Sequence, residues 1–242
     1  MQKYNFRKDS VILMGDTHNA TTTYELLNTR IPNGCDVWHC GDGGLGFGLP
    51  SFAIDNAKSH LDRINKLLQK IDVKLYHQIG NHDNPDVWKL PPIYSNIVLL
   101  QSGDIGIFPN GKKTLFVGGG VSVDRYVRKE GNDYWKDEIT PEFEINEDCD
   151  IMFSHDCPEH FNHSTHSLPN HYGWYCDRDV TLIDDCLKQR LHMTDIAKRA
   201  NVKTCISGHF HNSIRQQIDG VYYRCLDINE LFEFDANHEY TI

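Results

Sequence analysis

Short apolar runs that end in glycine and then in polar residues recur along this chain of 242 residues. "SVILMGD", "CDVWHCGD" and "VKLYHQIGNHD" are the first three, each four to six apolar-rich positions long, a length that suits a strand better than a helix. Two stretches read differently. "TTYELLNTR" predicts a brief helix with threonine at its cap. "SFAIDNAKSHLDRINKLLQK" places Phe52, Ile54, Ala57, Leu61, Ile64, Leu67 and Leu68 at helical spacing, so an amphipathic helix is expected there. Further on, "KKTLFVGGG", "CDIMFSHD", "VKTCISGHFH", "SIRQQI", "VYYRCL" and "LFEFD" read as strands. A second long helix is expected over "TLIDDCLKQRLHMTDIAKRA", with Leu182, Ile183, Cys186, Leu187 and Ile196 on one broad face.

The alternation of strand and helix in the first half predicts a layered α/β architecture. The later crowd of strands, with fewer helices, predicts a second sheet. Two sheets face to face with helices outside accommodate both halves. Two irregular stretches interrupt this pattern, one from "VGGG" to about Glu138 and one between Cys157 and Val180. Loops of that length in a compact domain are uncommon and often functional.

Composition narrows the class. With 24 basic and 34 acidic residues the formal net charge is −10, and no long basic run is present. That balance argues against non-specific binding to nucleic acid, which relies on cationic contacts with phosphates. It does not argue against a small anionic substrate, since bound divalent cations reverse the local sign. No apolar run approaches the roughly 20 residues of a membrane span, so no membrane partner is expected. The opening "MQKYNFRKDS" lacks the apolar stretch of a secretory leader. The eight cysteines form no C-x-x-C pair. They read as free thiols in a reducing compartment, and a cytoplasmic location is the expectation.

Five of the apolar runs end in metal-ligand residue types: "VILMGDTH", "VWHCGD", "HQIGNHD", "IMFSH" and "CISGHFH". Sites in open α/β sheets form beyond the carboxyl ends of strands, so five such ends can deliver their polar tips to one crevice. Residues two apart in an extended segment point to the same side, which sets Asp16 with His18 and His209 with His211. Glycines precede Asp16, Asp42, Asn81 and His209, and are expected to let the backbone turn at each tip. Any one of these motifs alone is a common polar turn. The ordered set is what carries the inference.

In this order the motifs resemble the calcineurin-like metallophosphoesterase family, whose pattern is D-x-H, G-D, G-N-H-D/E, an isolated H, then G-H-x-H. The resemblance spans Asp16 to His211 within one domain expected over residues 1–242. It implies an α/β fold, a four-layer αββα sandwich of two mixed β-sheets flanked by helices. By similarity Asp16, His18 and His211 would hold one divalent metal ion. Asn81, His155 and His209 would hold a second, and Asp42 would bridge them. Oxygen and imidazole donors without thiolate suit manganese, the leading expectation, or iron, zinc or nickel. The implied reaction is hydrolysis of a phosphate ester by in-line attack of a metal-bridging hydroxide, with Asp42 and His82 as catalytic residues and His82 assisting the leaving group. Phosphodiester or nuclease activity is one alternative. A non-catalytic scaffold of the same fold is another, which the full set of ligand types and His82 disfavours. Nothing in the sequence sets the oligomeric state.

One departure stands out. The protein serine/threonine phosphatase branch carries G-D-x-x-D-R-G, whereas this chain reads "GDGGLGF" with Leu45 at the aspartate position. His82 therefore needs a different orienting partner, for which Asp83 is a candidate. The segment "GGGVSVDRYVRKEGNDYWKDE" is similar to a loop in a bacterial and phage-type subgroup. Asp124, Arg125 and Arg128 are thus candidates for supporting or phosphate-contacting roles, with a structural Asp–Arg contact as the alternative. The loop bearing His160, His163, His166 and His171 is a candidate lid. Tyr172, Trp174 and Tyr175 are candidates either to stack on a leaving group or to pin that loop.

Overall fold

The computed structural model describes residues 1–48, 52–161 and 173–240. Two sheets face each other. The smaller runs in the order β12 (Leu231–Asp235), β2 (Ser10–Met14), β3 (Asp36–His39), β4 (Lys74–His77), β5 (Ile97–Leu99). The larger runs β1 (Lys3–Asn5), β6 (Ile105–Ile107), β7 (Lys113–Val117), β8 (Ile151–Ser154), β9 (Thr204–Ser207), β11 (Val221–Cys225), β10 (Ile214–Ile218). Both are mixed, with β12 antiparallel to β2 in one and β6–β7 and β10–β11 antiparallel in the other.

Three apolar layers hold the stack together. Helices α1 (Ala20–Thr29) and α2 (Ala53–Lys70) cover the smaller sheet, burying Leu27, Ala57, Leu61, Ile64 and Leu68 against Met14, Val37 and Leu75. Between the sheets lie Trp38, Tyr76, Phe6, Phe108, Phe116, Phe153 and Phe234. The Trp38 ring lies 5.0–5.5 Å from Phe6, Phe116, Phe153 and Phe108, within the range of tilted and edge-on aromatic contact. On the far side Met193, Ile196 and Ala197 pack on Met152 and Cys205. They belong to the long helix Leu182–Arg199, named α4 here, which the four-residue turn α3 (Gly173–Cys176) precedes. The layer order is the expected αββα.

Several local expectations change. The cap of α1 is Asn19, whose extended backbone lets its side chain accept from the Thr21 amide at 2.7 Å; no threonine caps it. The buried face of α4 runs through Leu182, Cys186, Gln189, Met193, Ile196 and Ala197. Ile183 and Leu187, expected on that face, are 38% and 41% exposed, because one step beyond each buried position turns a residue outward by about 100°. All eight cysteines are free, and only Cys35 and Cys176 are not fully buried. Among the described residues no helix is long and apolar enough to cross a membrane.

The register sets the site. Met14 pairs with His39, His39 with His77, Val117 with Ser154, and Phe153 with Ile206, all in parallel. Strands β2, β3, β4, β7, β8 and β9 therefore release their chains at one edge of the stack.

Candidate functional site

Each strand end contributes one tight loop. After β2 come Asp16 and His18, after β3 Asp42, after β4 Asn81 and His82, after β8 His155, and after β9 His209 and His211. Four of these residues, His18, Asp42, His209 and His211, adopt left-handed backbone angles with φ of 49–66°. Non-glycine residues there are uncommon and cluster at functional sites. The expected turning role of the glycines beside them is met at one position only. Of Gly15, Gly41, Gly80 and Gly208, only Gly41 has positive φ. A Cβ on Gly80 would lie 2.2 Å from Asp42 Oδ1, and one on Gly208 would lie 2.2 Å from Asp16 Oδ1. Those two positions need glycine because a buried carboxylate occupies the space a side chain would take.

Three groups of donors lie close together among the described residues. Two share Asp42: Asp16, His18, Asp42 and His211 converge in the first, and Asp42, His155 and His209 in the second. The remaining group is Asp16, Cys40 and His155, where burial raises the thiol well above its ordinary range and the thiol donates to Asp16. Asn81 joins the second, with Oδ1 3.0 Å from His155 Nε2. His155 Nε2 lies 3.3 Å from Asp42 Oδ1, and His211 Nε2 lies 3.1 Å from Asp16 Oδ2. Hydrogen bonds behind the donors hold them. The Cys40 thiol donates to Asp16 Oδ1 at 2.9 Å, the His209 amide to Asp16 Oδ2 at 3.0 Å, and the His82 amide to Asp42 Oδ1 at 2.7 Å. His155 Nδ1 lies 2.9 Å from the Cys40 carbonyl, which can only accept, so the ring carries its proton there and turns an Nε2 lone pair inward.

The donor set fits divalent cations. His155 Nε2 faces two oxygen acceptors. His18 Nε2 and His211 Nε2 stand 2.8 Å apart. Lone pairs gathered this closely call for a shared positive charge. Burial pulls His18 down to about 4 and takes His209 well below the ordinary histidine range, so both rings are neutral and free to coordinate. Burial also raises Asp42 well above the usual carboxylate range, and the neighbouring charges of Asp16 and Asp83 add to it. For Asp16, burial is outweighed by hydrogen bonding from His211 and the charges of His155 and His211, which hold it low. Two buried carboxylates in this state favour a cation between them.

His82 sits at the rim, its Nε2 4.0 Å from Asp42 Oδ2. Its ring stacks on Phe47 at 4.7 Å and meets His18 edge-on at 4.5 Å. Its polar partner is Arg128, whose Nη2 lies 2.7 Å from His82 Nε2. The guanidinium also pairs with Asp124 at 2.6 Å and bonds Ser122 Oγ and the Asp133 carbonyl. Burial, then the charge of Arg128, takes His82 down to about 2. Asp83, the candidate for orienting His82, does something else. Its carboxylate accepts from the amides of Gly43, Leu45 and Gly80 and so ties two strand-end loops together. Leu45 is buried against the α1–α2 layer.

A cavity of about 360 Å³ opens over the centre, lined by His18, Asp42, Asn81, His82, His209 and His211, with Asp124 and Arg128 on its rim and Val123, Tyr175 and Phe210 as apolar wall. Arg125 is not brought to it. Its guanidinium is spent on Asp179 at 2.5 Å, Asp185 at 2.7 Å and Thr181 at 2.9 Å, fastening the loop to the start of α4. His160 lies away from the centre, with its ring against the Tyr223 hydroxyl. His163, His166, His171, Tyr172 and the Trp174 side chain lie outside the described residues.

A family model described as calcineurin-like phosphoesterase matches residues 10–213. Among solved structures, the chain aligns with the crystal structure of phosphopantetheinyl hydrolase from Mycobacterium tuberculosis at 11% identity and a TM-score of 0.45, over 93% of this chain and 90% of that one. Among curated protein sequences nothing matches.

Proposed function

The chain belongs to the calcineurin-like phosphoesterase family, and on that premise we propose that it hydrolyses small phosphate esters at a binuclear metal centre. The observation that carries the reading is the pair of donor clusters sharing Asp42. Asp16, His18 and His211 would hold one ion, Asn81, His155 and His209 the other, and Asp42 both. Manganese is the first choice, with iron, zinc or nickel compatible with the same donors. Bound ions supply positive charge to phosphoryl oxygens and acidity to an attacking water.

The protein's own residues do the rest. The Cys40 carbonyl and thiol hold His155 and Asp16 ready, so little reorganisation accompanies binding. Arg128 donates to His82 Nε2, so the neutral ring carries its proton on Nδ1, and the guanidinium supplies polar hydrogens and positive charge at the rim beside Asp42, where a departing oxygen gains from them. Arg128 keeps its Asp124 and Ser122 contacts while doing so, and acts as a fixed charge more than as a swinging clamp. Val123, Tyr175 and Phe210 give the leaving group an apolar wall.

Small esters are favoured over nucleic acid. The cavity is small and the net charge is −10. Among the described lining residues Arg128 is the sole lysine or arginine, whereas a polynucleotide track calls for many. The test compares p-nitrophenyl phosphate with its bis ester across manganese, iron, zinc and nickel. Turnover of the monoester in at least one metal supports the reading, and preference for the bis ester moves it to a phosphodiesterase. Metal-loaded protein that hydrolyses neither ends the enzyme reading and revives the scaffold.

A further inference from the structure

Behind the cavity, and outside its lining, lies a closed hydrogen-bond count. Ser122 is fully buried, and Glu138 is 4% exposed. The Ser122 amide donates to Glu138 Oε1 at 2.6 Å, and the Ser122 hydroxyl donates to Oε2 at 2.7 Å. Two donors approach the same hydroxyl from the site: Asn81 Nδ2 at 3.2 Å and Arg128 Nη1 at 3.0 Å. A serine hydroxyl has one proton and two lone pairs. The proton goes to Glu138, and the lone pairs go to Asn81 and Arg128. No valence is left over.

This count has a direction. With its proton committed to a carboxylate, the Ser122 oxygen can only accept on the side of the site. An asparagine amide facing it must show its NH2 and so turns Oδ1 the other way, to 3.0 Å from His155 Nε2. A flipped amide would aim NH2 at the cation position, and a metal cannot use it. Arg128, seated on the same oxygen, extends its other nitrogen to His82. Glu138 is itself fixed by backbone contacts. Its amide donates to the Trp135 carbonyl at 3.1 Å, and its carbonyl accepts from Gly120 at 3.0 Å.

We propose that Glu138 is a positioning residue that acts through Ser122, setting which face of the Asn81 amide is turned to the metal centre and seating Arg128 against His82. The proposal rests on the reading of Asn81 as a ligand. Glu138→Gln is nearly isosteric yet breaks the count. If the new amide NH2 faces the hydroxyl, three donors compete for two lone pairs. If it faces the Ser122 amide, two donors oppose each other.

The test is titration of chelator-stripped full-length protein with Mn²⁺ by calorimetry at about pH 8, where the Glu138 carboxylate is ionised. Wild type is expected to bind two ions. Glu138→Gln should weaken one of them by roughly 10–100-fold, the usual effect of removing a hydrogen-bonding partner of a ligand, and leave the other unchanged. Ser122→Ala should do the same. The double variant should be no worse than Ser122→Ala alone, since both act through one hydroxyl. Thermal melting of the stripped proteins accompanies each titration, and midpoints no lower than wild type beside a weakened site separate positioning from general damage. If Glu138→Gln binds both ions as wild type does, or loses both alike, the relay is wrong and the metal-centre reading stands. If wild type binds fewer than two ions, that reading fails, and the relay falls with it for want of a ligand to aim.

Discussion

The imidazole of His82 is held on three sides, by the flat of Phe47, the edge of His18 and the tip of Arg128. The His82 ring belongs to neither donor cluster, and its backbone amide, which bonds Asp42, remains in an alanine variant, so the ring can be deleted without opening the clusters. His82→Ala is therefore expected to bind its metals as wild type does and to lower turnover by ~10²–10⁴-fold, the range for a group assisting proton transfer or charge. Metal content by elemental analysis beside kcat checks both halves; stripped metals would show that His82 serves the centre rather than the leaving group. A second residue-scale consequence concerns Glu138. Burial raises its carboxyl to about 7, against hydrogen bonds from Ser122 and the charges of Arg128 and Arg125; the Tyr134 phenol is the other titratable group beside it. Between about pH 4.5 and 7 the folded chain then holds a proton that the unfolded chain has released, and above about 7 the carboxylate is ionised and both oxygens accept from Ser122. Stability from this group is full below about pH 4.5 and declines as pH rises toward 7. In metal-free protein, Glu138→Gln should gain on wild type across that window and hold its gain above it. Melting midpoints at pH 4.5, 6 and 8 measure the difference, and a gap that does not widen with pH would contradict it.

At the scale of elements, parallel strands that all release at one edge explain why so much of the site was legible before the fold. Each strand run carried its ligand types directly behind it, so reading the strand ends in order was close to reading the site. What was not legible arises at long range or in very short elements. β1, β5 and β6 are three residues each, too short for alternation to register. Arg128 is 46 positions from His82, and Glu138 is 16 from Ser122, in a stretch whose irregular pattern flagged it without indicating who meets whom. Arg125 and Arg128 look alike in sequence. Only the docking of α4 and the turn before it, which offer Asp185 and Asp179, draws one of them away. The loop after β3 yields a prediction of its own. Leu45 stands where the serine/threonine phosphatases carry aspartate, yet it is 1% exposed and packs among the helix-side apolar residues. Its amide is already tied to Asp83, itself buried and raised to about 6. Leu45→Asp would bury a second, unpaired carboxylate beside the first. The expected result is a loss on the order of 3–5 kcal/mol in urea unfolding and no gain in turnover. A stable and faster variant would mean that the loop can turn this position toward His82.

For the molecule as a whole, the two sheets are joined at the site edge by charge rather than by apolar packing. Asp16 and Asp42 come from the smaller sheet, and His155, His209 and His211 from the larger. A cation between them would thus bridge the two halves of the sandwich and offset the buried pair Asp16 and Asp42, toward which histidines, the Cys40 thiol and two backbone amides are turned. Stability and metal loading are then coupled through one residue. Mn²⁺ at about a hundred times its dissociation constant should stabilise wild type by ~2.7 kcal/mol per ion, which for a chain of this size is roughly 5–10 °C in midpoint. Asp42→Asn should behave in the opposite sense at each end of the titration. Without metal it melts higher than wild type, because a neutral amide removes the like charge. With metal it gains little, because both ions would lose the carboxylate proposed to serve them together. Melting curves of the two proteins in chelator and in Mn²⁺ should therefore cross. Parallel curves, with the variant shifted by the same increment in both conditions, would mean that Asp42 is not where the ions meet.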